Sequence, residues 1–225
     1  MTPNRVPKRW AKYHKQVLTE AIGDAPIITI SKEPLNWGTN LLQTEYGYPN
    51  IYKQMLRGAK LATTKYIAMA DDDTLYPKQH FQFRPPTDGL YYNYNRWNLP
   101  AWETKEQSSS AAQSKKEVCY FHKPKPGNGC MIATRELVIE VMEKRLAADP
   151  ELPGYFTKEL GNSKRMMKYD QMAAQHFYTT DPILTIVHDL SADPAAQSHK
   201  KAIWPVRAYD IPVWGKAENM LKKFI

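Results

Sequence analysis

The stretch that decides the fold is Tyr66-Ile67-Ala68-Met69-Ala70-Asp71-Asp72-Asp73-Thr74-Leu75-Tyr76-Pro77, in which a short apolar run is followed at once by three aspartates. The apolar part does not alternate with polar residues, which is typical of a strand that is buried on both faces. The aspartates follow at the carboxyl end of this strand, where open α/β sheets bind their ligands. The pattern predicts a strand over 66–70 with a ligand site directly after it.

Three adjacent carboxylates repel one another unless a positive charge lies among them. Carboxylate oxygens suit Mg²⁺ or Mn²⁺, and such an ion completes its shell with diphosphate oxygens. The triplet therefore indicates a metal-bound phosphate site. The alternative is an acidic turn that only ends a strand, because Asp often bonds its own backbone in turns.

The chain has 225 residues, 42% of them hydrophobic, which fits one domain with a proper core. Its net charge of +8 favours an anionic partner, with a nucleotide sugar and a nucleic acid as candidates. The two cysteines, Cys119 and Cys130, are too few for a disulfide scaffold and indicate a reducing compartment. No apolar run approaches a membrane span, and no apolar signal core follows the basic N-terminus, so a cytoplasmic protein is expected.

Helices and strands are predicted in the order that is typical of neighbouring parallel strands. The interpretation is a single domain with an N-terminal helix within 1–25, a core over 26–190 and a basic extension over 191–225. Residues 35–49 are expected to be irregular, and 102–116 to form a loop. The predicted helices are 9–22, 51–62 with Asn50 as its cap, 77–83, 135–147 and 168–177, and the predicted strands are 26–30, 66–70, 89–95, 130–134 and 182–188.

In this order the motifs resemble those of the GT-A glycosyltransferases, over about residues 26–190. The resemblance implies a Rossmann-like α/β fold with a mainly parallel central sheet flanked by helices. It also implies a UDP- or GDP-sugar donor and Mn²⁺ or Mg²⁺ as cofactor. The pieces that carry it are the strand and loop 26–34, the segment 58–67 that runs into Asp71-Asp72-Asp73, the segment Gly127-Asn128-Gly129-Cys130-Met131-Ile132 with Arg135-Glu136, and His188 after a late strand.

The resemblance implies a role for each candidate site residue. Asp73, Asp71 and His188 are the expected metal ligands, although a histidine after a strand is often a structural residue. Asp170 is interpreted as the general base that deprotonates the acceptor hydroxyl, with a helix N-cap as the alternative. The residues expected to contact the donor are Ser31, Lys32, Pro34, Gln54, Asp71 and Asp72.

Two other functions stay open at this point. A sugar-nucleotidyltransferase also uses acidic metal ligands, but that class usually has a glycine-rich loop where this chain has Ser31-Lys32-Glu33-Pro34. A non-catalytic nucleic-acid-binding protein fits the charge, but the acidic triplet would repel phosphate. For a glycosyltransferase, the candidate acceptors are a hydroxymethylated base in DNA and a glycan precursor.

Overall fold

The computed structural model describes residues 5–45, 49–101, 118–148, 159–162, 164, 166–188 and 206–225, which form a mixed α/β chain of several sheets and helices. The predicted helices at 9–22, 51–62, 77–83 and 135–147 are confirmed to within one residue at most ends. No helix in the described ranges is long and apolar enough to cross a membrane. The helices are α1 (Lys8–Ile22), α2 (Asn50–Leu61), α3 (Lys78–Gln82), α4 (Arg135–Ala147), α5 (Met167–Asp170) and α6 (Ala217–Phe224).

The strands are short, and the apolar ones predicted from the sequence are all present. The strand predicted over 66–70 ends at Ala68, and the strand predicted over 182–188 is present and fully buried. The strands are β1 (Ile28–Ser31), β2 (Thr39–Leu42), β3 (Tyr66–Ala68), β4 (Thr74–Leu75), β5 (Leu90–Asn93), β6 (Arg96–Pro100), β7 (Tyr120–His122), β8 (Met131–Thr134), β9 (Gln175–Phe177), β10 (Ile183–Val187), β11 (Arg207–Ala208), β12 (Asp210–Ile211) and β13 (Gly215–Lys216).

The sheets are mixed, and the prediction of a mainly parallel central sheet is wrong for the described residues. One sheet has the order β3-β8-β5-β9 and another the order β11-β7-β6-β10-β4, with β1-β2 and β12-β13 as separate pairs. Only β1/β2, β5/β9 and β6/β10 run parallel among the described pairs. The strand β3 that precedes the aspartates pairs antiparallel with β8. Hydrophobic periodicity indicates where a strand lies but not which way its neighbour runs.

Two main clusters of buried side chains form the core, and the acidic triplet lies where they meet. In the first, α2 and α4 pack on β5 and β8 through residues such as Met55, Tyr92 and Val141. In the second, α1 and α6 cover β6 and β10, with Trp10 fully buried. Met69, just before the aspartates, packs on the first cluster, and Leu75, just after them, belongs to the second.

The predicted helix over 168–177 is wrong beyond its first residues. The helix α5 ends at Asp170, because Gln171 adopts a left-handed conformation with φ of 64°. Such a conformation stops a right-handed helix and is uncommon for a residue other than glycine. The chain then forms β9 alongside β5.

Three smaller expectations also differ from the structure. Asn50 does not cap α2, because Pro49 occupies the cap position and the Asn50 Oδ1 atom accepts a hydrogen bond from Gln54 Nε2 at 2.6 Å. The segment 35–49 contains β2, and the single strand predicted over 89–95 is β5 followed by a turn into β6. The loop predicted over 102–116 lies outside the described residues.

Candidate functional site

The three aspartates form a tight turn between β3 and β4, which we call the acidic turn (Asp71–Asp73). Three hydrogen bonds hold its backbone in place. Trp10 of α1 donates its indole N–H to the Asp72 carbonyl at 2.9 Å, and the Ile186 amide of β10 donates to the Asp73 carbonyl at 2.8 Å. The Asp71 amide donates to the Tyr76 hydroxyl at 2.9 Å. These three bonds use backbone groups of the turn and fix its position.

Asp73 and His188 come together, as expected for two neighbouring ligands of one ion. The His188 Nε2 atom lies 3.8 Å from Asp73 Oδ2, and the Thr74 hydroxyl donates to Asp73 Oδ1 at 3.0 Å. His188 follows β10, and its ring packs against Phe224 with centroids 5.2 Å apart. Among the described residues, however, no group of three or more His, Cys, Asp or Glu side chains is placed to hold a metal ion alone. The role of His188 as a ligand stays a prediction.

The acidic turn concentrates negative charge in three consecutive residues. Burial, together with the charges of Asp71 and Asp72, raises the pKa of Asp73 to about 8. The Thr74 hydrogen bond and the Arg96 guanidinium act in the opposite direction. The Asp73 side chain still keeps 17% of its surface exposed, so a ligand can reach it. A cation bound here would remove the repulsion that raises this pKa.

Two glycines bring the segment 127–129 against this turn. A Cβ atom added at Gly129 would overlap the Asp71 carboxylate, and one added at Gly127 would overlap the Arg96 guanidinium. Arg96 in turn donates from Nε to the Thr185 hydroxyl at 3.3 Å. The segment 127–129, which is part of the family resemblance, therefore lies beside the acidic turn.

A large cavity opens on the other side of the turn. Its volume is about 1030 Å³, and α1, β1, α2 and β3 contribute to its walls. The volume is at the upper end of the range for small-molecule sites, about 300–1,000 Å³. Among the polar residues that line it are His14, Trp37, Gln54, Asp71 and Asp72.

The structure brings only part of the predicted donor set to this cavity. Gln54, Asp71 and Asp72 line it. Ser31 is fully buried, and its hydroxyl donates to the Glu33 carbonyl at 2.6 Å, so it stabilises the β1–β2 connection. Lys32 and Pro34, both in the described range, are exposed and lie outside the cavity lining.

Asp170 lies in a buried ion pair with Arg145, a position in which an acceptor cannot reach its carboxylate. Arg145 donates from Nε to Asp170 Oδ1 at 2.6 Å and from a terminal nitrogen to Oδ2 at 2.5 Å. The Gly161 amide donates to Oδ2 at 2.8 Å, and both side chains are 0% exposed. Asp170 also ends its helix rather than opening it. The geometry supports a structural role and gives no support to the general-base or the N-cap interpretation.

Sequence reasoning missed the contribution of α1. Trp10, His14 and Leu18 are buried on one face of this helix, at the spacing of four that brings side chains together. Burial lowers the pKa of His14 to about 4, so the imidazole is neutral at pH 7. That spacing was the available signal, but it also fits an ordinary apolar helix face.

No family model matches the chain, and a comparison with curated proteins found no match.

The Asp73 pKa predicts how stability depends on pH without divalent ions. The carboxyl binds its proton more tightly in the folded protein, about 8 against 3.8, so the contribution of Asp73 to the free energy of unfolding should fall as the pH rises between these values. Melting curves in EDTA from pH 4 to pH 8 test this. Asp73→Asn should show a flatter profile and melt higher than wild type at pH 8. Parallel profiles for the two proteins would contradict the assignment.

Proposed function

We propose that the protein is a metal-dependent glycosyltransferase that moves a sugar from a nucleotide-sugar donor to an acceptor hydroxyl. The observation that supports this most directly is that two residues of the acidic turn, Asp71 and Asp72, line a cavity of about 1030 Å³. The diphosphate would lie at the turn, with the nucleoside in the cavity. Asp71 and Asp72 line the cavity, so one molecule can contact both places.

The residues of the turn fit a Mg²⁺ or Mn²⁺ site that the donor completes. Mg²⁺ is usually held in proteins by one or two carboxylates together with substrate phosphates and waters, rather than by a full protein cage. Asp73 and Asp71 would supply the carboxylates, with His188 beside Asp73. When bound, the ion neutralises the diphosphate that leaves.

In the transfer, the acceptor oxygen bonds to the anomeric carbon while the bond to the diphosphate breaks, the diphosphate keeps the electron pair, and the proton of the acceptor hydroxyl passes to the departing diphosphate or to solvent. The chain's own residues orient this reaction. Trp10 and Ile186 hold the backbone of the turn, and the Arg96 guanidinium adds positive charge beside Asp73. Because Asp170 is enclosed, it is not the base in this reaction scheme. The acceptor would be a hydroxymethylated base in DNA or a glycan precursor, because the net charge of +8 favours an anionic partner. We also propose a cytoplasmic location.

Calorimetric titration with UDP and GDP tests the donor site. We expect at least one of them to bind about tenfold or more tightly with Mn²⁺ than in EDTA, because the ion screens the carboxylates from the diphosphate. Uridine and guanosine serve as controls, since they lack the diphosphate and should bind independently of Mn²⁺. Equal affinity of the diphosphates with and without the ion would contradict a metal at the acidic turn.

A further inference from the structure

The helix α1 contacts both halves of the proposed donor site. Trp10 holds the Asp72 carbonyl, and His14, four residues later, faces the Asp71 and Thr74 carbonyls. His14 is also among the residues that line the cavity. One imidazole therefore reaches the acidic turn on one side and the cavity on the other.

Two polar atoms at this cavity are buried without a hydrogen-bond partner among the described residues. They are His14 Nε2 and Trp37 Nε1. His14 is only 5% exposed. Its ring and the Trp37 ring are nearly perpendicular, at 86°, with centroids 6.3 Å apart. The great majority of buried polar groups in proteins have a hydrogen-bond partner. Two neighbouring polar atoms without one, at a single cavity, therefore indicate a ligand that bonds to them.

The two atoms have different hydrogen-bonding chemistry. A neutral imidazole has one N–H donor and one acceptor nitrogen, so Nε2 of His14 can do either according to its tautomer. The indole N–H of Trp37 can only donate. The pair thus requires a ligand that presents an acceptor to Trp37 and, close beside it, a second polar group to His14.

A nucleobase meets this requirement and also suits the rest of the cavity. Every base carries a donor and an acceptor side by side on its polar edge, and its flat faces are apolar. The walls offer apolar side chains such as Ile28, Met55 and Ile132. An aliphatic ligand would leave both polar atoms unpaired, which is unfavourable in a buried site.

We propose that His14 and Trp37 recognise the polar edge of the donor's base. This inference rests on the proposed function, because it assumes that the donor is a nucleotide sugar. Both residues lie outside the strand, loop and acidic triplet that the sequence singled out.

Two substitutions isolate the unpaired atoms. Trp37→Phe keeps an aromatic ring and removes the N–H donor. His14→Asn keeps a polar amide near the Nδ1 position and removes Nε2. The matched control is Trp97→Phe, which removes the same donor from an indole outside the cavity lining. Melting curves show that each variant is folded.

The measurement is the affinity for UDP, GDP, ADP and CDP, and for inorganic diphosphate, each with Mn²⁺. Loss of one hydrogen bond should weaken the preferred nucleotide about tenfold in each cavity variant. Diphosphate alone, which has no base, should bind as in wild type. Trp97→Phe should match wild type for every ligand.

The outcomes separate the two proposals. If wild type binds neither nucleotide nor diphosphate, the proposed function is wrong and this inference with it. If wild type binds nucleotides and both cavity variants bind them equally well, base recognition by this pair is wrong while the proposed function stands. Equal weakening of nucleotides and diphosphate would likewise overturn base recognition, because it would place the effect at the turn.

Discussion

Asp73→Asn should lower the turnover of a nucleotide-sugar donor by about 10²- to 10³-fold, the effect typical of losing one electrostatic contact to a leaving group. Asn is close in size to Asp, and its carbonyl oxygen can still accept the Thr74 hydrogen bond. The fold should therefore persist, and removing a buried charge that Asp71 and Asp72 repel should not destabilise it. The measurement is kcat with saturating Mn²⁺, together with a melting curve.

The matched control for this variant is Asp24→Asn, because Asp24 is an exposed carboxylate at the end of α1. It should keep wild-type turnover and wild-type stability. A folded Asp73→Asn protein with undiminished turnover would mean that the aspartates only end a strand.

Asp170→Asn should destabilise the protein by about 3–5 kcal/mol, since it leaves the fully buried Arg145 guanidinium without its counter-charge. For a chain of this size that corresponds to a melting temperature lower by about 10 °C. The fraction that remains folded should keep the wild-type kcat, because the Asp170 carboxylate is enclosed in the structure.

Two further proteins sharpen this test. Glu140→Gln breaks an exposed pair with Lys144 and should change the melting temperature little. The double variant Arg145→Met with Asp170→Leu removes both charges at once, and it should recover much of the lost stability. Normal stability with kcat reduced 100-fold or more in Asp170→Asn would instead identify Asp170 as the general base.

The local elements of this fold could be predicted from the sequence because their signals are local. An apolar run that stops at three aspartates indicates a strand and a turn, and the structure has β3 and the acidic turn there. The helix over 135–147 was predicted with its observed bounds. In both places the periodicity and the terminating residues agree.

The pairing of strands could not be predicted in the same way, because it depends on residues far apart in the sequence. Nothing in the run over 66–70 indicates that its partner β8 is antiparallel. The length of α5 also depends on a contact between residues that are far apart in the sequence. Asp170 binds Arg145, 25 residues earlier, and Gln171 then turns the chain away.

The candidate site also has a part that could be predicted from the sequence and a part that could not. The resemblance implies that His188 and Asp73 share one metal site, and the structure brings them to 3.8 Å because β4, which follows Asp73, pairs antiparallel with β10, which precedes His188. The positions of His14 and Trp37 at the cavity depend on how α1 and the β1–β2 connection pack, which is a tertiary effect. Their unpaired nitrogens become visible only when every buried polar atom of the folded chain has been matched with a partner.

The most direct test of the account is to incubate wild-type protein with a panel of UDP- and GDP-sugars and to measure the nucleotide diphosphate released. Each donor is assayed with Mn²⁺ and with EDTA, in the presence of duplex DNA containing a hydroxymethylated base or of a glycan precursor. We predict that one donor releases its diphosphate with Mn²⁺ and that EDTA abolishes the release. Full release in EDTA, or no release from any donor while nucleoside triphosphate and sugar 1-phosphate yield pyrophosphate, would contradict a metal-dependent glycosyltransferase.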